Sequence, residues 1–112
     1  MKLVGRIKRA SLEGGALVRV KYPPYDVLVA LVDGKACAIE DACNHAGASL
    51  AEGWREEGDP GCVGCPMHGY IFSMRTGALV SPKGLCADQR TFTVIDEGED
   101  VVIYDPVQIV II

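Results

Sequence analysis

The sequence predicts an all-β protein of antiparallel strands, and three features carry that expectation. Apolar and β-branched runs of three to seven residues recur along most of the chain, separated by turn-forming residues. No stretch shows the 3.6-residue apolar period of an amphipathic helix. Asp33-Gly34, set between two apolar runs, is a two-residue hairpin signal. Together these give an antiparallel sandwich or barrel.

Residues 2–7 and 16–22 read as the first two strands. Pro23-Pro24 stops the second, because proline brings no N–H to a ladder. Val27–Val32 and Lys35–Glu40 flank Asp33-Gly34 as a hairpin. Residues 70–73 and 78–80 are joined across Thr76-Gly77, and residues 91–95 and 101–104 across Glu97-Gly98-Glu99-Asp100. Residues 107–112 are strongly β-forming. They are expected to cap the sandwich as a last strand, or to pair as an exposed edge with a second copy in a homo-oligomer. Between residues 41 and 64 the periodicity fades while Gly47, Gly53, Gly58, Pro60 and Gly61 accumulate, which marks a functional loop. Ser81-Pro82-Lys83-Gly84 reads as another. Neither repeat nor linker divides the chain, so residues 1–112 are expected to form a single domain.

With 112 residues, 49% hydrophobic and 23% charged, the chain has the balance of a folded soluble domain. Its longest apolar run falls far short of the ~20 residues of a membrane span. The opening MKLVGRIKRA lacks the apolar centre of a secretory signal. A net charge of −4 argues against nucleic acid as a partner. Residues 1–24 hold six basic and one acidic side chain, the remainder five and fourteen, which reads as a basic first strand among solvated charges. Five cysteines, an odd count without a signal, do not make a secreted disulfide framework. A reducing, cytoplasmic setting is expected, with the thiols serving metal or redox chemistry.

The two histidines sharpen this. They are the only ones in the chain, and each follows a cysteine closely: Cys43-Asn44-His45 and Cys65-Pro66-Met67-His68. Two thiolates and two imidazoles suit a tetrahedral zinc staple, a mononuclear iron or copper site, or a [2Fe–2S] cluster with two Cys on one iron and two His on the other. Spacing alone leaves zinc open.

Cys43-Asn44-His45-Ala46-Gly47-Ala48-Ser49-Leu50, with Glu52-Gly53 behind it, resembles the first ligand loop of Rieske-type [2Fe–2S] proteins. Cys65-Pro66-Met67-His68-Gly69-Tyr70-Ile71-Phe72 resembles the second, and Arg75-Thr76-Gly77 and Leu79-Val80-Ser81-Pro82 continue the likeness, which spans residues 26–95. In length the chain is similar to the soluble, low-potential Rieske ferredoxins of dioxygenase systems. The resemblance implies an antiparallel β-sandwich base, residues 1–41 and 84–112, carrying a small loop-rich cluster-binding subdomain over residues 42–83. It implies one [2Fe–2S] cluster, with Cys43 and Cys65 on the inner iron and His45 and His68 on the outer. Backbone N–H groups near Ala46, Gly47, Ala48 and Met67 are expected to face the cluster sulfurs. Gly47 and Gly69 are expected to allow close approach of the backbone, and Pro82 to lie in a third covering loop.

Two departures refine the likeness. Nineteen residues separate His45 from Cys65, slightly more than is usual in the family, and the excess is expected in residues 55–61. Ala48 and Met67 stand where respiratory Rieske proteins carry a further disulfide, which points to a ferredoxin. The resemblance implies a one-electron carrier, not itself an enzyme, between a flavin-dependent ferredoxin reductase and a terminal oxygenase or reductase. Alternatives are a Rieske-like small subunit of an assimilatory nitrite reductase and a zinc-stapled binding module. Glu52, Glu56, Glu57 and Asp59 are expected beside the docking end, where they steer a basic partner. Cys37, Cys62 and Cys86 are read as small apolar side chains.

Overall fold

The strand Val27–Val32 has almost no solvent face: Val27, Leu28, Val29 and Ala30 are fully buried and Val32 nearly so. Successive side chains of a strand point to opposite faces, so an unbroken apolar strand needs a packed layer on each side. The structure, a computed structural model describing residues 1–44, 47–56 and 58–106, supplies both layers. Among the described residues ten strands form: β1 (Lys2–Lys8), β2 (Val18–Val20), β3 (Val27–Val32), β4 (Lys35–Glu40), β5 (Trp54–Arg55), β6 (Cys62–Gly64), β7 (Ile71–Ser73), β8 (Leu79–Ser81), β9 (Thr93–Asp96) and β10 (Asp100–Asp105). They make three antiparallel sheets, ordered β1-β10-β9, β2-β3-β4 and β5-β6-β7-β8.

The β3–β4 hairpin is the shared middle layer. Val27, Val29 and Ala38 pack with Phe92, Val101 and Ile103 toward the sheet of β1, β9 and β10. Leu28, Ala30, Val32 and Ile39 pack with Val63, Phe72, Met74 and Leu79 toward the four-stranded sheet, and Cys43 and Cys65 belong to this second core. Each large side chain buried this way contributes roughly 1.5–3 kcal/mol. Two arginines fasten the four-stranded sheet to the hairpin. Arg55 donates from Nη2 to the Leu31 carbonyl at 2.6 Å, and Arg75 pairs with Asp33 at 2.6 Å. The chain leaves the base after β4 and returns beside its exit, where the Glu40 N–H donates to the Arg90 carbonyl at 2.7 Å and Ile39 bridges Thr91.

The all-β expectation holds, with three differences. The second strand is only Val18–Val20. Ahead of it Arg9–Gly15 forms 3-10 turns, interrupted at Glu13 and Gly14, which drive fully buried Leu12 into the base core. Residues 41–64 are not all loop: β5 and β6 pair Trp54 with Gly64 and Arg55 with Val63. Strands this short carry no readable alternation, and their glycine- and proline-dense turn masks them. At the predicted hairpin, Asp33 and Gly34 take φ values of 52° and 79° and Val32 pairs with Lys35, the two-residue turn the sequence signals. Residues 107–112, expected as a last strand, lie outside the described residues. Among the described residues no helix is long and apolar enough to cross a membrane.

Candidate metal centre

Two loops of the second core are built alike. In the first, the Cys43 N–H donates to the Ala48 carbonyl at 2.8 Å, and the Gly47 N–H donates back to the Cys43 carbonyl at 2.7 Å. In the second, the Cys65 N–H donates to the Tyr70 carbonyl at 2.8 Å, and the Gly69 N–H donates to the Cys65 carbonyl at 3.0 Å. Gly47 and Gly69 have φ values of 72° and 73°, a left-handed conformation that glycine alone adopts at no steric cost. Each loop is therefore a six-residue tip that begins at a cysteine and is closed by a glycine in the fifth place.

The second tip is the end of the β6–β7 hairpin, whose Gly64–Ile71 pair sets its width. The first needs a clamp, because no strand follows it directly. Asp41, 1% exposed, accepts the Ser49 hydroxyl at 2.6 Å and the Ala51 N–H at 2.9 Å, while its own carbonyl accepts the Leu50 N–H. The Arg19 guanidinium lies 3.6 Å from the same carboxylate and 2.7 Å from that of Asp26. This compensates two carboxylates that have left water. Sequence reasoning missed Asp41, Asn44 and Gln89. Asp41 and Gln89 are buried polar side chains and Asn44 an exposed one, and none leaves a signal in spacing.

The donors lie at two depths. Cys43 and Cys65 are 2% and 0% exposed, whereas His68 is exposed at the tip. His45 and Ala46 lie outside the described residues. Buried soft sulfur behind an outward imidazole fits a cluster that takes thiolates on one iron and imidazoles on the other. Among the described residues no three Cys, His, Asp or Glu side chains converge where a single ion would bind.

Some expectations for the surrounding residues change. The N–H groups of Gly47 and Gly69 donate to the cysteine carbonyls, and the positive φ of both glycines belongs to these turns. Ala48 is half-buried with its carbonyl committed to Cys43, and the Met67 side chain is 59% exposed. Pro82 begins the segment after β8, and it is Cys86, further along, that packs on the core around Cys65. Glu56 and Asp59 occupy the β5–β6 turn, at the opposite end of β6 from Cys65, where Arg55 donates to the Pro60 carbonyl. They are therefore not beside the tip that carries His68. Glu52 stays next to the first loop, and Glu57 lies outside the described residues. Cys37, Cys62 and Cys86 are outside any disulfide and pack as half-buried or buried side chains. Burial pushes all three thiols up, reinforced at Cys62 by Asp59 and at Cys86 by Asp88 and Cys65.

An antiparallel β base presenting two matched loops, each led by a buried cysteine and carrying one histidine in the sequence, defines an iron–sulfur electron-transfer module. The chain belongs to the Rieske [2Fe-2S] domain family, whose profile matches residues 4–93. It is 34% identical over 103 residues to the ferredoxin component of biphenyl 2,3-dioxygenase from Rhodococcus jostii (strain RHA1), covering 92% of each chain. Its fold matches the ferredoxin of carbazole 1,9a-dioxygenase from Nocardioides aromaticivorans IC177, with a TM-score of 0.80 at 23% identity over 93% of this chain and 98% of that one. It also matches a chain in the complex of reduced oxygenase and oxidized ferredoxin in carbazole 1,9a-dioxygenase, with a TM-score of 0.78 at 25% identity over 97% and 95%. The protein is a Rieske ferredoxin, an electron carrier rather than a catalyst, and its cofactor is a single [2Fe–2S] cluster.

Proposed function

We propose that this ferredoxin takes single electrons from a flavin-dependent reductase and delivers them to a terminal oxygenase, in the cytoplasm. In this reading Cys43 and Cys65 are the ligands of the inner iron and His45 and His68 those of the outer. The observation that carries the assignment is the matched pair of tips, with the same two backbone bonds and the same closing glycine around each cysteine. When bound, the cluster supplies one reversible electron. The chain buries both thiols in a core that excludes water and keeps His68 at the surface, on the short path to a partner. Residues 1–112 act as one Rieske domain, with residues 42–83 as its cluster-binding part.

The oxygenase partner is supported by the dioxygenase ferredoxin relatives and by the similarity to a chain of the oxygenase–ferredoxin complex. The face offered to it is apolar. Met67 in the second tip and Leu85 ahead of Cys86 are 59% and 64% exposed, and Tyr25, 58% exposed, holds the first tip through its carbonyl to the Ala42 N–H. An exposed large apolar side chain such as Met67, next to His68 in the second tip, suits a transient contact.

Metal analysis of the purified protein tests the ligands: about two irons and two labile sulfides per chain are expected, with the visible spectrum lost or grossly altered in His45→Ala and His68→Ala. Stoichiometric zinc in protein produced with ample iron overturns the reading. Docking is tested by stopped-flow reduction of an oxygenase. Met67→Glu with Leu85→Glu slows it about tenfold or more, while Glu56→Gln with Asp59→Asn leaves it unchanged.

A further inference from the structure

The side chain of Gln89 is 2% exposed although it belongs to no strand, and its carboxamide makes four hydrogen bonds. Nε2 donates to the carbonyls of Glu40 at 2.9 Å and Ala42 at 2.7 Å. Oε1 accepts the Asn44 backbone N–H at 2.8 Å and the Asn44 side-chain amide at 2.7 Å. These partners straddle Cys43, so one side chain grips the chain before and after the first cysteine.

The backbone of the same residue grips the other half of the site. The Gln89 N–H donates to the Gly77 carbonyl at 2.7 Å, and a Cβ added to Gly77 would lie 2.1 Å from the Gln89 carbonyl oxygen. Gly77 closes the turn between β7 and β8 through its N–H to Ser73, and β7 runs directly out of the second tip. Asp88 repeats the connection: its carboxylate accepts the Leu79 N–H at 2.9 Å and its carbonyl accepts the Asn44 side-chain amide at 2.9 Å.

We propose that Gln89 is a positioning residue of the cluster site, holding the first ligand tip at a fixed separation from the hairpin behind the second. The inference rests on the assignment of Cys43, Cys65 and His68 as ligands. A leucine would fill the same volume without the cost of desolvating an amide. A fully satisfied buried amide instead selects one geometry, since each lost bond strands a partner in the core. Groups that orient ligands from behind them commonly change metal affinity by about 10–100-fold.

The test compares Gln89→Met, which keeps the length and removes the amide, with Val101→Ala in β10, a fully buried position of the other core. Both are expected to lower the melting temperature. At a temperature where both are folded, Gln89→Met alone loses its cluster to a chelator about tenfold faster or more, and it alone alters the g values of the reduced protein. Asn44→Ala, at an exposed position, gives a smaller change in the same direction. A Gln89→Met protein matching Val101→Ala in cluster lifetime and g values overturns the proposal. If Gln89→Met does not fold, unchanged lifetime and g values in Asn44→Ala do so. His68→Ala separates the two levels: an unaltered spectrum there removes the ligand assignment, whereas an altered one beside an unaltered Gln89→Met removes only the role of Gln89.

Discussion

The indole of Trp54 rests on Gly64, its cross-strand partner and the residue immediately before Cys65. A Cβ on Gly64 would fall 2.2 Å from Cε2 of the ring, and the indole N–H donates to Glu56 at 2.9 Å. The chain has a single tryptophan, so its emission reports on one place, one residue from a candidate ligand. An iron–sulfur chromophore quenches a neighbouring indole. Emission of the cluster-loaded protein is therefore expected to be weak and to rise severalfold on removal of iron by a chelator. Gly64→Ala displaces the ring, costs about 1–3 kcal/mol in overpacking, and reduces that rise.

The three remaining cysteines are expected to be dispensable for the cofactor. None of them lies in either cysteine–histidine loop, and burial pushes all three thiols up. Changing Cys37, Cys62 or Cys86 to Ser singly leaves iron per chain and the visible spectrum intact. Cys62→Ser, at a buried position, costs about 1–3 kcal/mol in thermal or denaturant unfolding. Loss of iron in any one of the three contradicts this.

A low midpoint potential is expected. High-potential Rieske proteins, which the second loop otherwise resembles, place a serine and a tyrosine hydroxyl where this chain has Tyr70 and Phe72. Phe72 is fully buried and has no hydroxyl, and Tyr70 carries its hydroxyl at the far side of the ring. Without those donors more electron density stays on the sulfurs, which disfavours reduction. Voltammetry is expected to place the midpoint near the bottom of the range of roughly −150 to +300 mV. Tyr70→Ser with Phe72→Tyr is expected to raise it.

Acid stability is expected to depend on Asp26. The Tyr22 N–H at 2.8 Å and the Arg19 guanidinium hold its carboxyl below the ordinary aspartate value, and burial only partly opposes them. Below that ordinary value the unfolded chain binds the proton that the folded chain resists, so stability rises with pH there. The contribution is complete above the ordinary carboxylate range and is lost as the pH falls through the depressed folded value. Asp26→Asn lowers stability at neutral pH by about 1–2 kcal/mol and flattens the acid limb of the melting curve.

What could be read from the sequence follows the range of the interactions. Asp33-Gly34 announced its turn because positive φ at both residues restricts the residue types allowed, and the cysteine–histidine spacings are local chemistry of the same kind. Gln89 was silent because its partners lie some 45 residues away and a lone glutamine has no pattern. β5 and β6 escaped because strands of two and three residues show no alternation. The acidic turn was placed at the wrong end for a related reason: without β6, nothing indicated that the chain runs away from the first tip and back before reaching Cys65. Val27–Val32 shows the opposite case. Its unbroken apolarity already required a layer on each side, and Asp41–Ser49 shows how a polar residue can then be drawn into such a core.

The hydrogen bond between Glu40 and Arg90 makes everything from residue 41 to residue 89 a cassette with adjoining ends. A detour whose exit and entry already touch asks little of its host, since doubling the length of a closed loop adds only about 0.6 kcal/mol. The base keeps its own core of Leu12, Val27, Val29, Phe92, Val101 and Ile103, to which the cassette contributes no side chain among the described residues. Excised and replaced by a short turn, the cassette leaves a smaller, colourless β-protein whose Leu28, Ala30, Val32 and Ile39 face needs polar replacements to stand in water. Any antiparallel scaffold with an equivalent pair of adjacent strand ends, and an apolar face like that of Leu28, Ala30 and Val32 to receive it, is a candidate recipient for a transplanted redox centre.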